Sequence, residues 1–240
     1  MGSFAAAVAG GPLLVAACGS GGPTVAVHAR AAAPVATRPH VHESIVATAV
    51  VPEVPVFRSP KAHRPFLRLA NPTAVGEPLV FLVERRVAGW EQVYLPIRPD
   101  GATGWVSDRH VDLAWNPYSL RIRLRAHELV VLRRGNAVAR YPVGVGRSVL
   151  PTPTGRYYIV ELLKQPDPRG LYGPYAFGTS AFSNVLYSFG GGPGQIGIHG
   201  TNEPSSIGRS ISHGCIRLRN GDIVRLAHLL PLGTPVTIEP

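Results

Sequence analysis

From residue 45 onward, proline and glycine divide the chain into short β-rich runs, and this punctuation limits the folds that are open to it. The 240 residues include 27 Gly and 24 Pro, so few stretches are long enough for a helix of ordinary length. Aromatic and β-branched residues fill the runs between the breaks, as they do in strands. The runs lie at residues 54–57, 66–69, 79–83, 90–95 and 104–106. This part of the chain is therefore predicted to be all-β.

The second half begins with a strict alternation of aliphatic residues and arginine over residues 120–125. Successive side chains of a strand point to opposite faces, so the run predicts a strand with one solvent-exposed face and one buried face. Residues 128–133 and 137–143 flank Arg134-Gly135-Asn136, in which Gly and Asn suit the positive φ of a hairpin turn. A β-sheet domain is therefore predicted to begin near residue 118.

Two features interrupt this strand pattern. Residues 164–180 are rich in Pro, Gly and Tyr, which predicts a lid or a loop that frames the substrate. Residues 222–230 place their aliphatic side chains on one face of a helix, with Asn220 as the N-cap and Pro231 after the end. The predicted fold class is mainly β, with one or two short helices.

The N-terminal residues 1–18 have the features of an export signal. The apolar stretch at residues 4–17 is broken by Gly and Pro and is too short to span a bilayer, so no transmembrane helix is expected. It ends in Leu14-Val15-Ala16-Ala17-Cys18, which resembles a bacterial lipobox. Cys18 would then carry the lipid that anchors the protein in the cell envelope; the alternative is a plain signal with a chance cysteine and a secreted protein. Residues 19–45 are predicted to be a flexible Ala/Pro/Gly linker.

The net charge of +10 comes from 24 Lys and Arg against 14 Asp and Glu. Residues 118–240 hold fourteen basic and six acidic residues, so +8 of that charge lies in the second half, where it would attract an anionic polymer. Nucleic acid is not the expected polymer, because the basic residues are not interleaved with aromatic ones. With only two cysteines a multi-cysteine zinc site is excluded, and neither a metal nor another cofactor is expected.

Candidate catalytic residues are concentrated in His199-Gly200 and Ser212-His213-Gly214-Cys215. The reactive form of cysteine is the thiolate, and an unassisted thiol ionises only near pH ~8.5, so a nucleophilic Cys215 needs an imidazole as its base. His199, on a separate strand end, is one candidate for that base, and His213 is the other. Gly214 would allow a sharp turn that aims backbone amides at a developing oxyanion. The constellation predicts acyl transfer.

These motifs, with Arg217 two positions after the cysteine, resemble the signature of L,D-transpeptidases, the YkuD-type catalytic domain. Segments at 153–155, 172–174 and 197–200 also fit that family. The resemblance covers residues 118–239 and implies a β-sandwich. It also implies that a cysteine attacks the third stem residue of a peptidoglycan tetrapeptide, releases D-alanine, and passes the acyl group to an amine of a neighbouring stem as a 3→3 cross-link.

Carried over residue by residue, the resemblance implies that Cys215 is the nucleophile and His199 the general acid and base. The carbonyl of Gly200 would orient His199. A zinc site built from His199, His213 and Cys215 is the competing interpretation, but no supporting carboxylate motif accompanies it. A buried structural thiol is the competing role for Cys215.

The positions around the nucleophile also receive roles from the resemblance. The amides of His213, Gly214 and Cys215 would form the oxyanion hole, and Arg217 and Ser212 would bind substrate. The implied partners are peptidoglycan stem peptides, the membrane through the lipid anchor, and β-lactams of the carbapenem type as inhibitors.

Residues 46–114 resemble a bacterial SH3-like domain, on the spacing of their strands and on Gly89-Trp90 and Gly104-Trp105-Val106. The predicted order is thus signal peptide, linker, SH3-like β-barrel and L,D-transpeptidase catalytic domain. Two alternatives to the transpeptidase stay open. One is an L,D-carboxypeptidase that passes the same acyl group to water, and the other is a non-catalytic cell-wall-binding lipoprotein.

Overall fold

Strands are the predominant regular structure of the computed structural model, which describes residues 25–26, 33–34, 42–189 and 191–240. In chain order, the strands up to residue 116 are β1 Val25–Ala26, β2 Ala33–Pro34, β3 Ser44–Ala49, β4 Glu53–Val56, β5 Leu67–Ala70, β6 Val80–Val87, β7 Trp90–Tyr94, β8 Thr103–Ser107 and β9 Val111–Asn116. A 3₁₀ turn at Asp108–His110 precedes β9. We call residues 44–116 the N-terminal module.

The strands after residue 117 are β10 Tyr118–Arg123, β11 Glu128–Arg133, β12 Asn136–Pro142, β13 Val145–Gly146, β14 Gly155–Lys164, β15 Tyr175–Phe182, β16 Gln195–His199, β17 Ser210–Ser212, β18 Ile216–Arg217 and β19 Pro235–Glu239. Among the described residues there is one α-helix, α1 Asn220–Leu229, and a second 3₁₀ turn, Pro204–Ser206. The predicted mainly β fold class is confirmed.

The described strands form two large sheets and two two-stranded sheets, and the two small sheets are β13-β17 and β4-β5. The sheet of the C-terminal half has the order β12-β11-β10-β19-β14-β15-β16-β18, with β1 paired to β14 outside this path. The N-terminal module has the order β2-β9-β3-β6-β7-β8, with the hairpin β4-β5 beside it. Strand β14 links the two parts of the larger sheet, β12-β11-β10-β19 and β15-β16-β18. Its residues 155–158 pair with β19, and its residues 159–164 pair with β15. The larger sheet therefore curls around a core.

The N-terminal module shares that core. Along β6, Val80 and Leu82 belong to the apolar cluster of the C-terminal half, whereas Phe81 and Val83 belong to a separate cluster inside the module. Alternate strand residues face opposite sides, so residues 80–83 are buried on both faces, which explains why this half of β6 is uninterrupted apolar sequence, whereas residues 84–87 are exposed. The hydroxyl of Tyr158 also donates to the Tyr94 carbonyl across the boundary, at 3.1 Å. The module is thus fixed against the C-terminal half. Its SH3-like classification stays a prediction.

Several predicted elements are confirmed, and two differ. The strand predicted to have one solvent-exposed face is β10, in which Leu120 and Ile122 are buried. The hairpin turn forms, but the residues with positive φ are Arg134 and Gly135, at 49° and 81°, so Asn136 already belongs to β12. The lid predicted for residues 164–180 is wrong in extent, because strand β15 begins inside it.

The predicted capping role of Asn220 is also wrong. Asn220 is the first residue of α1, and Arg219 precedes it with no capping side-chain bond. The Asn220 side chain accepts a hydrogen bond from the Thr201 amide at 2.8 Å instead. It therefore ties the start of the helix to the segment that follows His199.

Part of the predicted linker forms strand pairs. Strand β1 pairs antiparallel with β14, and β2 pairs antiparallel with β9. Among the described residues, no helix is both long enough and apolar enough to cross a membrane. The predicted signal peptide and lipidation site at Cys18 lie outside the described residues.

Candidate active site

The two central side chains come from neighbouring parallel strands. Strand β18 pairs with β16 so that Ile216 lies opposite Ile198, and Cys215 immediately precedes β18. The Gly197 amide donates to Cys215 Sγ at 3.4 Å. A Cβ atom added to Gly197 would lie 3.6 Å from His199 Cδ2 and 3.8 Å from Cys215 Sγ. The imidazole and the thiol therefore lie on the same side of β16, beside a position that has no side chain.

His199 is held in a defined protonation state by its surroundings. The residue is 3% exposed, and Nδ1 lies 2.5 Å from the Gly200 carbonyl oxygen. A carbonyl only accepts, so Nδ1 carries the hydrogen and Nε2 has the lone pair of the neutral ring. Burial lowers the pKa of His199 to about 4, against the opposing effect of the Gly200 bond and with a further reduction from the charge of Arg217. The imidazole is therefore a neutral base at neutral pH.

Cys215 is a free thiol, and burial raises its pKa above the ordinary value. The Gly197 amide and the charge of Arg217 act in the opposite direction but do not cancel the burial effect. The resting site thus holds a neutral thiol next to a neutral imidazole. Ionisation of the thiol requires proton transfer to a base at the moment of reaction.

The turn that presents Cys215 is fixed by two buried hydroxyls. Gly214 has φ of 115°, a left-handed conformation that side chains disfavour. Ser212 Oγ accepts from the Gly214 amide at 3.1 Å and donates to the Cys215 carbonyl at 2.7 Å. Thr152 Oγ1 donates to the Gly214 carbonyl at 2.7 Å from the far side of the turn. The Ser212 hydroxyl makes two hydrogen bonds within the turn, and its expected role in substrate binding stays a prediction.

The predicted oxyanion donors differ in their availability. The Gly214 amide already has Ser212 Oγ as its acceptor. The amides of His213 and Cys215, which lie between β17 and β18, donate to none of the described groups. Of the three predicted donors, the amides of His213 and Cys215 are therefore available to bind a developing negative charge.

Arg217 and His213 both lie beside the nucleophile, but their side chains have different environments. The Arg217 guanidinium is largely buried and donates to Glu203 Oε2 at 2.7 Å. His213 is exposed, and its ring stacks on Phe189 with 5.3 Å between the centroids and 26° between the planes. His213 thus belongs to the wall of the site, while His199 is the imidazole beside the bare position on β16.

Sequence reasoning gave Tyr172 no catalytic role, although the structure places it against His199. The two rings meet edge to face, 4.9 Å apart. The backbone after Tyr172 packs directly on the backbone after His199, because a Cβ on Gly173 would lie 2.7 Å from Gly200 Cα. In the sequence, the glycine that follows each of these two residues, Gly173 and Gly200, was the only indication that the two segments approach each other. Their close approach holds Tyr172 over the imidazole.

Two cavities meet at the thiol. The larger, about 280 Å³, is lined on one side by Glu161, Tyr172 and Phe177 and on the other by Phe189 and residues 192–195. The smaller, about 90 Å³, is lined by residues that include Ser212, His213 and Arg217. Both reach His199 and Cys215. A thiol between two cavities can contact one molecule from each side.

The larger cavity also holds a carboxyl group. Burial raises the pKa of Glu161, and the nearby charge of Glu77 raises it further. This carboxyl accepts a proton more readily than an exposed glutamate would. A cationic group bound beside it would lower its pKa again.

Replacing Gly197 by alanine is expected to slow alkylation of Cys215 by iodoacetamide about tenfold or more, without unfolding the protein. The new methyl group would sit in ordinary contact distance of His199 and Cys215, where it obstructs the approach to Sγ. The second-order rate of thiol loss measures this effect. Gly221→Ala is the matched control, because a Cβ there meets nothing within 4 Å. Equal rates in both variants would show that the bare position does not control access.

A β-sheet domain with a thiol and a neutral imidazole on neighbouring strands has the groups that acyl transfer through a thioester requires. Residues 117–238 match the L,D-transpeptidase catalytic domain family, YkuD. The match covers half of the chain, so the protein belongs to this family.

Individual relatives agree with the family match. The YkuD protein of Bacillus licheniformis is 39% identical over 124 residues, which are 52% of this chain and 67% of the relative. The YkuD protein of Bacillus subtilis is 37% identical over 51% of this chain and 66% of its own length. The chain thus spans about two thirds of the length of these relatives. A solved structure of L,D-transpeptidase 3 from Mycobacterium tuberculosis, in complex with a faropenem-derived adduct, is 18% identical, with a TM-score of 0.42 over 60% of this chain and 76% of that chain.

Proposed function

We propose that the protein is a cysteine-dependent L,D-transpeptidase that makes 3→3 cross-links between peptidoglycan stems. The observation that carries this proposal is the meeting of two cavities at Cys215 and His199. A transpeptidase must bring an acyl donor and an acyl acceptor to one sulfur atom, one after the other. A cavity on each side of the thiol provides room for both.

In the first step, the Sγ proton moves to Nε2 of His199 while Sγ bonds to the carbonyl carbon of the third stem residue. The negative charge on the carbonyl oxygen is met by the amides of His213 and Cys215, which have no other acceptor among the described residues. The bond to D-alanine then breaks, and the leaving nitrogen takes the proton from His199. The products are free D-alanine, a thioester on Cys215 and a neutral imidazole.

In the second step, the side-chain amine of a neighbouring stem attacks the thioester carbonyl. The amine loses a proton to Nε2 of His199, the carbon–sulfur bond breaks, and Sγ recovers the proton. The neutral resting state of both groups supports this sequence, because burial depresses the pKa of His199 to about 4 and raises that of Cys215. Water in place of the amine would give the carboxypeptidase reaction on the same site.

The partners and the location belong to the same proposal. The net charge of +10 would favour an anionic wall polymer, and the lipobox-like segment ending in Cys18 would anchor the protein on the outer side of the membrane. Carbapenem-type β-lactams would acylate Cys215, because their strained amide presents the same kind of carbonyl to the thiol. The module at residues 44–116 would position the catalytic half rather than act alone.

The proposal predicts that the protein converts a disaccharide-tetrapeptide into a cross-linked dimer with release of D-alanine, read by mass spectrometry of the products. The matched control is the same substrate with its side-chain amine acetylated, which can donate but cannot accept. Dimer from the free-amine substrate alone supports the transpeptidase. Monomeric tripeptide from both substrates would replace it with the carboxypeptidase. Absence of D-alanine release, together with co-sedimentation with sacculi, would favour the wall-binding lipoprotein.

A further inference from the structure

One side of the larger cavity is formed by the connection between β15 and β16. We call residues 183–189 and 191–194 the cleft loop. Phe189 and the segment 192–194 line the cavity next to Cys215, so the position of the cleft loop sets the width of the cavity. The apolar side chains of Val185, Tyr187 and Phe189 are exposed, and burial in the core therefore contributes little to holding the loop in place.

The N-terminal module supplies contacts that hold this loop, in addition to the stacking of Phe189 on His213 and the hydrogen bonds within the loop. Arg98 lies in the turn between β7 and β8, and its Nη1 donates to the Ser183 carbonyl at 2.7 Å. Its Nη2 donates to the carbonyls of Leu186 at 3.3 Å and Pro193 at 3.0 Å. One guanidinium thus joins both ends of the cleft loop. Outside this group, no described donor reaches the three carbonyls.

Three further contacts strengthen the same junction. The Arg98 guanidinium lies over the rings of Phe182 and Tyr187, 5.0 and 4.8 Å from their centroids, in the arrangement of cation–π pairs. From the same turn, Asp100 Oδ1 accepts from the Phe182 amide at 2.9 Å. The planar fork of arginine is suited to several acceptors in one plane, which a lysine cannot reproduce.

We propose that Arg98 is a positioning residue that sets the wall of the substrate cleft from the N-terminal module. It touches no reacting group and acts through the cleft loop. The module therefore takes part in substrate binding by the C-terminal half, although the sequence motifs of the chemistry all lie beyond residue 152. The effect on substrate rests on the proposed function, whereas the effect on the loop does not.

The test compares Arg98→Ala, Arg98→Lys and the control Arg85→Ala in the full chain. Arg85 lies in the same module with its guanidinium over Trp105 and has no contact with the cleft loop. Arg98→Ala is expected to raise the KM for the disaccharide-tetrapeptide about tenfold with kcat within about twofold, since lost ground-state binding appears in KM. Arg98→Lys is expected to lie between Arg98→Ala and the wild type, and Arg85→Ala to match the wild type.

A second readout follows the loop without any turnover. Tyr187 is 70% exposed, and its release from Arg98 is expected to increase chymotryptic cleavage after this residue about tenfold. Unchanged cleavage and unchanged KM in Arg98→Ala would overturn the proposal. So would equal increases in cleavage at sites far from the loop, which indicate general destabilisation. A wild type without transpeptidase activity would refute the proposed function, while the cleavage rates would still decide the role of Arg98.

Discussion

Replacing Cys215 by alanine is expected to abolish D-alanine release, with a fall in rate of at least about 10⁴-fold, as for removal of other catalytic nucleophiles. Sγ is the atom on which both cavities converge, and no other cysteine lies among the described residues. Alanine leaves no atom that can carry the acyl group. Intact-protein mass spectrometry after exposure to a carbapenem measures the same loss, because only the wild type should gain the mass of the drug.

Cys215→Ser is a more specific test of the thiol, because it keeps a polar atom at the position of Sγ. The serine oxygen would occupy the position of Sγ, close to the Gly197 amide, but a hydroxyl is a far weaker acid than a thiol. Transfer of its proton to His199 is therefore far less favourable than transfer of the thiol proton. Serine should behave like alanine. A drug adduct on Cys215→Ala would place the nucleophile elsewhere and contradict the assignment, and peptide mapping of any adduct on Cys215→Ser would show whether it lies on residue 215.

Both variants need a check that the fold is intact. Gly221→Ala, at an open position of α1, serves as a reference for a harmless substitution. Thermal unfolding of the Cys215 variants within a few degrees of this reference assigns the lost activity to chemistry. A large shift in the midpoint would assign it to disruption of the turn that Ser212 and Thr152 stabilise.

The sequence predicted the elements that depend on local pattern. The alternation at residues 120–125 gave β10, and the Gly at position 135 marked the hairpin turn, because strand period and positive φ are properties of a few neighbouring residues. The motifs around His199 and Cys215 were found in the same way. Their meeting depends on the parallel register of β16 and β18, which no local pattern predicts; the resemblance implied only that the two residues act together.

Contacts between distant parts of the chain could not be predicted. Arg98 lies 85 positions before Ser183, and Thr152 lies 62 positions before Gly214, so no periodicity connects either pair. The cap assigned to Asn220 failed for the same reason: a hydrogen bond to Thr201, 19 positions away, replaced the local one. The apolar run of β6 did contain a usable signal, since a strand without polar alternation is expected to be buried on both faces.

Replacing His199 by glutamine is expected to reduce the rate of acyl-enzyme formation by about 10²–10⁴-fold, the usual contribution of a general base. Glutamine has a similar length and an amide that can donate to the Gly200 carbonyl, but it cannot accept the thiol proton. Stopped-flow measurement of carbapenem acylation gives the rate. His213→Gln is the matched control, because His213 is exposed and stacked on Phe189. Its rate should be close to that of the wild type, and the opposite ranking would make His213 the base.

The pH dependence separates the two histidines further. His199 must be neutral to accept a proton, and burial lowers its pKa from 6.5 to about 4, so wild-type activity should be lost on acidification only near pH 4. An acid limb near pH 6.5 would contradict this assignment. Between these two pH values, His199 is protonated in the unfolded chain but stays neutral in the folded protein. The contribution of His199 to stability therefore falls as the pH drops from about 6.5 to about 4. Thermal unfolding of His199→Gln should lack this component, while His213→Gln should retain it.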